Sequence, residues 1–164
     1  MTEKILINFY SRKEPFKDNI DKIFKSDCHE RCQLTGDLNS YTILDGDEIK
    51  NSMKKDGINS VDCILLKKTS NRKINIILCE LCDGKKGYKL VRDKMKDSGE
   101  HICKVLSSEG IKISNVYCLY LGDYKKNDIK FKSNTFSITG YYRNDLRIIN
   151  KNCGFSVNEL FNNN

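Results

Sequence analysis

Asp62 and Glu80 are the two acids whose types and spacing could do chemistry in this chain. They stand near opposite ends of VDCILLKKTSNRKINIILCELC, residues 61–82, in which two apolar runs are joined by the polar segment Thr69 to Lys73. That pattern is the signal for a β-hairpin. With the turn centred on Asn71, Cys63 faces Cys79 and Asp62 faces Glu80. Direct cross-strand neighbours have Cβ atoms about 4.5–5.5 Å apart, and like charges at that separation repel. Such a pair is tolerated where a cation sits between the carboxylates, and hard oxygen donors suit Mg²⁺ or Mn²⁺.

The elements that must position these acids can be read on either side of the hairpin. Residues 4–10 (KILINFY) fit a strand or a helix start, and periodicity does not decide between them. Pro15 suits a first helical turn, and Phe16, Ile20, Ile23, Phe24 and Cys28 recur at helical spacing, so a helix is expected over about 15–32. Ser40 to Leu44 reads as a short strand. The second hairpin strand, Ile74 to Cys82, is almost continuously apolar up to Glu80, as expected for a central strand covered on both faces. After Gly84, the positions Tyr88, Val91, Met95, Ile102, Val105 and Leu106 share one helical face, with Ser98 and Gly99 weakening its middle and Gly110 as a C-cap. Val116 to Leu121 is then a buried strand. Strand, helix, strand is a βαβ unit, whose two strands should be parallel.

The last pieces, Ile129 to Lys132, Thr135 to Tyr142 and Leu146 to Ile149, alternate with Asn, Asp and Gly and read as short antiparallel strands, with a closing helical turn over Phe155 to Phe161. The expected fold is therefore α/β: a single domain, its mixed sheet built on a core hairpin followed by a βαβ crossover and flanked by helices. Residues 1–124 form the core and 125–164 a C-terminal β extension.

An Asp at the start of one hairpin strand and a Glu near the end of the next, followed by a basic helix, resembles the PD-(D/E)XK nuclease superfamily over roughly residues 15–121. The resemblance implies a restriction-endonuclease-like fold, Asp62 and Glu80 as ligands of Mg²⁺ or Mn²⁺, and hydrolysis of phosphodiester bonds in nucleic acid, DNA ahead of RNA. The chain departs from the motif at two positions. Val61 stands where the family has Pro, and Cys82 stands where it has the Lys that follows the Glu by two. A thiol cannot supply an ammonium, so the resemblance transfers that role to a following lysine, with Lys85 the expected catalytic residue and Lys85, Lys86, Lys89 and Arg92 the expected nucleic-acid contacts. The competing reading is a catalytically inactive member of the same fold that acts as a nucleic-acid-binding or protein-interaction scaffold.

Composition bears on both readings. The chain has 164 residues, enough for one domain with its own core, and Lys plus Arg exceed Asp plus Glu by 29 to 22, for a net charge of +7. That excess suits an anionic partner. Asp83, Asp93, Asp97 and Glu100 are interleaved with the lysines after the hairpin, so part of that set is a salt-bridge-laced helix surface. The opening apolar run is too short for a signal-peptide core or a membrane span, and a cytoplasmic protein with no membrane partner is expected. The eight cysteines are then read as reduced, mostly buried thiols. A third reading places zinc on Cys79 and Cys82 with Cys28, His29 and Cys32, but residues three apart on a strand point to opposite faces. The small size leaves little room for a specificity domain, so a homodimer or a protein partner is expected to supply recognition. No P-loop, GxGxxG, HExxH or GxSxG motif is present, which removes nucleotide-driven motors, dinucleotide enzymes, zincin proteases and serine hydrolases.

Overall fold

The computed structural model describes residues 32–46, 50, 59–82, 86–122, 129–138, 140 and 142–162. The expected helix over 15–32 and the segment 4–10 lie outside the described residues, apart from Cys32. In chain order the elements are β1 (Thr42–Asp45), β2 (Cys63–Ser70), β3 (Lys73–Leu81), α1 (Tyr88–Ser108), β4 (Lys112–Leu121), α2 (Ile129–Ser133) and β5 (Ile148–Lys151). Single 3₁₀ turns occupy Leu38–Ser40 and Val157–Leu160.

The hairpin forms in the expected register. Cys63 pairs with Cys79, Ile64 with Leu78 and Leu66 with Ile76, with a shift between Lys68 and Ser70 where the strands reach their turn. Arg72 takes the left-handed conformation there, at φ 56°, which lets two residues reverse the chain. The strands lie in the order β1-β2-β3-β4-β5. β1 pairs with β2 and β2 with β3 antiparallel, while β3 and β4 are parallel, joined by α1. The expected mixed sheet with a hairpin and a βαβ unit is what the chain builds.

Strict alternation along β2 and β3 divides the core into two layers. Ile64, Leu66, Ile76 and Leu78 pack with Val91, Met95, Ile102 and Leu106 of α1. Cys63, Leu65, Ile77 and Cys79 pack on the other face with Leu119, Leu34 and Val157. Fully burying one such aliphatic side chain stabilises by about 1.5–3 kcal/mol, so these layers hold the hairpin in place and fix which face Glu80 occupies.

Ser98 and Gly99, the poor helix formers of α1, are contact residues. A Cβ on Gly99 would lie 2.4 Å from Ile138 Cδ1 and 3.1 Å from Leu78 Cδ1, so the bare glycine lets the helix approach the sheet. The buried Ser98 accepts a hydrogen bond on Oγ from the Val61 amide at 3.0 Å, which pins the residue before Asp62.

The expectation of short antiparallel strands in the remainder is corrected first. The segment from Ile129 forms the short helix α2, not a strand, and β5 runs parallel to β4 rather than antiparallel. Among the described residues of this region, the antiparallel contact is an isolated bridge between Phe136 and Leu146. Alternating apolar residues show that a strand exists but not its direction, and the long connection after β4 carries the chain back to the end from which a parallel strand starts. The second correction concerns the thiols. Cys32 and Cys153 form a disulfide across a sequence separation of 121, while Cys63, Cys79, Cys103 and Cys118 are free thiols and, like Cys82, buried as expected. The expected closing turn is present as the 3₁₀ turn at Val157–Leu160, its N-cap Ser156 accepting from the Asn158 amide. No helix among the described residues is long and apolar enough to cross a membrane.

Candidate functional site

Asp62 lies one residue before β2 and is held from three sides. Its carbonyl accepts from the Gly46 amide at 2.9 Å, just past the end of β1. Its carboxylate accepts on Oδ2 from the Leu81 amide at 2.7 Å, at the end of β3. The Val61 amide before it is tied to Ser98 of α1. Gly46 is required at this place, because a Cβ there would stand 2.2 Å from the Val61 carbonyl oxygen and 2.6 Å from that of Asp62.

Glu80 is the next-to-last residue of β3 and is fully buried on the face that α1 covers. A buried carboxylate survives only with compensating partners. Here both are cations: the Lys86 Nζ lies 2.5 Å and the Lys94 Nζ 2.6 Å from the same oxygen, Oε1. The other oxygen, Oε2, has no hydrogen-bond partner. Lys86 is also held through its backbone, its amide donating to the Tyr120 hydroxyl at 2.8 Å. Tyr120 is the register partner of Glu80 on β4, so the hydroxyl and the carboxylate share one face and one row.

The two acids feel each other. Burial, and then the charge of Glu80, push the Asp62 carboxyl up to about 6, against the opposing pull of the Leu81 amide and the two lysines. The site thus holds a carboxylate whose charge changes in the mildly acidic range, a fully buried one beside it, and two ammoniums.

Of the residues expected from sequence, Asp62, Glu80 and Lys86 come together. Lys85 lies outside the described residues. Lys89 is exposed on α1, and Arg92 pairs with its neighbour Asp93, its Nη2 2.7 Å from Oδ1. Lys94 was not singled out by sequence reasoning as a site residue. Its signal was available: at 100° per residue it falls beside Val91 and Ser98, at the margin of the buried face of α1, rather than among the fully solvated lysines.

Cys82 occupies the position of the motif lysine but behaves as an apolar residue, buried in the α1 layer with its amide donating to the Leu121 carbonyl at 2.8 Å. Cys79 lies in the opposite layer, so these two thiols cannot share one zinc ion. Of the remainder of that reading, Cys32 is bonded to Cys153 and so is no ligand, and Cys28 and His29 are outside the described residues. Burial pushes the Cys103 thiol up to about 12 and raises that of Cys118 as well, which leaves neither poised as a thiolate nucleophile.

Asp62 and Glu80 are the side chains that would hold a hard divalent cation. Mg²⁺ is commonly held by one or two carboxylates and keeps several of its waters, and the unpartnered Glu80 Oε2 supplies an oxygen with no other role. Among the described residues there is no group of three or more His, Cys, Asp or Glu side chains that could form an all-protein cage. No protein-family model, curated protein or solved structure matches the chain.

Proposed function

We propose that the chain is a metal-dependent nuclease that hydrolyses phosphodiester bonds in nucleic acid, with DNA ahead of RNA as substrate. The observation that carries this reading is the convergence of Asp62, Glu80 and two lysine ammoniums at one end of the hairpin. The resemblance to the PD-(D/E)XK frame supports it, and so does a net charge of +7. Asp62 and Glu80 would hold Mg²⁺ or Mn²⁺, which when bound supplies an acidified water and charge neutralisation at the phosphate.

The roles of the chain's own residues follow from their placement. Asp62 binds the ion in its ionised form, so its raised pKa sets a lower pH limit on loading. The Leu81 amide fixes which Asp62 oxygen remains available. Lys86 and Lys94 bring positive charge to the place where a phosphate would gain negative charge, the part that Cys82 cannot play. Tyr120 orients Lys86 through its backbone.

One observation favours a second reading. The two lysines already neutralise Glu80 without a metal, as expected of a frame kept for binding nucleic acid or a protein partner after cleavage was lost. Incubating purified protein with Mg²⁺ or Mn²⁺ and mixed DNA and RNA substrates separates the two. Cleavage by the parent that disappears in Asp62→Ala and Glu80→Ala supports the nuclease. Retained substrate binding without cleavage by the parent supports the scaffold.

A further inference from the structure

The two halves of the Cys32–Cys153 disulfide differ in access. Cys32 is fully buried, while Cys153 is partly exposed and lies between the exposed residues Asn152 and Gly154. A thiolate opens a disulfide by attacking one of its two sulfurs, and access decides which. An outside thiolate therefore meets Cys153 Sγ first.

The fold also holds the two cysteines together without the bond. The Gly154 amide donates to the Gln33 carbonyl at 2.7 Å, the Thr35 amide to that of Phe155 at 3.0 Å and the Val157 amide to that of Thr35 at 2.9 Å. Leu34 and Val157 anchor the same two segments in the core layer. The cysteine Cα atoms are 4.7 Å apart, so this pairing keeps two thiols within bonding reach after reduction. Each sulfur also has an acceptor beside it. Cys32 Sγ lies 3.5 Å from the Leu121 carbonyl oxygen and Cys153 Sγ 3.6 Å from that of Cys82, at the ends of β4 and β3. A disulfide sulfur has no hydrogen to donate, whereas a thiol does, so both contacts turn into hydrogen bonds on reduction. The same surroundings therefore suit the bonded pair and the dithiol.

We propose that Cys32–Cys153 is a reversible thiol–disulfide exchange site for a small thiol of the glutathione class, entered at Cys153 and closed again by Cys32. The external thiolate bonds to Cys153 Sγ, and the bond to Cys32 breaks with its electron pair leaving on Cys32 Sγ. That sulfur takes a proton from water and donates it to the Leu121 carbonyl in a hydrogen bond. A second external thiolate attacks the external sulfur of the mixed disulfide, releasing Cys153 as a thiolate and the external disulfide. Two external thiols are thus oxidised as one protein disulfide is reduced. In reverse, the Cys32 thiolate attacks Cys153 Sγ of the mixed disulfide and expels the external thiolate. The group carried on Cys153 lies beside the Cys82 carbonyl, two residues beyond Glu80. The exchange requires no step of the nuclease reading.

The test compares full-length Cys32→Ser and Cys153→Ser, each reduced and then exposed to oxidised glutathione under native conditions, with mass analysis of the digests. Cys153 in the first variant should take up one glutathione at a rate at least about tenfold above that of Cys32 in the second. The buried thiols Cys63, Cys79, Cys103 and Cys118 report on folding in the same samples, because they should be modified only in urea. The parent chain supplies a measurement that does not depend on either variant folding. Reduced glutathione should open its disulfide at a rate unchanged by urea below the unfolding transition, and oxidised glutathione should close it again. Equal rates at the two cysteines, no modification of Cys153 in the folded chain, or opening only in step with unfolding overturns the exchange site and leaves a purely structural cross-link.

Discussion

Lys94 and Glu80 lie 14 positions apart in the chain, and the Lys94 Nζ is 2.6 Å from Glu80 Oε1. The carboxylate belongs to the end of a central strand and the ammonium to the second turn of the helix that follows, so the contact exists only once the helix has docked on the sheet. In the nuclease reading it supplies, from a different element, the charge that Cys82 lacks.

Lys94→Met should therefore damage two properties together. Removing one of two cations from a fully buried carboxylate should destabilise the fold by about 1.5–3 kcal/mol, read as a lower urea midpoint with an unchanged slope. The proposed nuclease activity should fall far more than in Lys89→Met, which changes an exposed residue on the same helix. Equal activity in the two variants would remove Lys94 from the site.

Asp62 gives a prediction in pH. Its carboxyl is raised from 3.8 to about 6, so in this window the folded protein binds a proton that the unfolded chain has released. Stability from this group is present below pH 3.8 and is lost as pH rises through about 6. Subtracting the stability of Asp62→Asn from that of the parent should leave a difference that declines across that interval and levels off above it. The proposed metal-dependent cleavage should show the opposite trend, rising as Asp62 ionises.

Gly46→Ala tests the backbone support of the site. Its new Cβ would press on the carbonyls of Val61 and Asp62, which are backbone atoms and cannot rotate away. A loss of about 1–3 kcal/mol is expected, as for overpacking elsewhere. Because the displaced residue is Asp62 itself, metal affinity measured by calorimetry should fall more steeply than stability does.

The Cys32–Cys153 disulfide joins residues 121 positions apart and ties the start of the described chain to the segment after β5. Reduction should lower stability by about 2–4 kcal/mol, because the cross-link restricts the unfolded chain. Cys153→Ser should match the reduced parent and be indifferent to further reductant. Mass analysis of a non-reduced digest should find the two peptides joined.

Much of this protein was determined by its sequence alone. The hairpin, its register, the opposition of Asp62 and Glu80 and the parallel strand after α1 all follow from local causes: alternation along residues 61–82, a two-residue turn, and a helical stripe bounded by Gly110. Each involves residues near one another in the chain, where periodicity and turn chemistry leave few options. The tertiary structure decided what depends on distant surfaces meeting. It selected Lys86 and Lys94 as the cations on Glu80, because the docking of α1 over Leu78, allowed by the bare Gly99, sets where Lys94 reaches, and the Tyr120 hydroxyl holds the backbone of Lys86 just ahead of the helix. It made β5 parallel, paired Cys32 with Cys153, and placed Asn150 in one row with Glu80 and Tyr120. Side-chain periodicity is the same for either strand direction, and cysteine spacing does not encode pairing, so these relationships appear only when the layers pack.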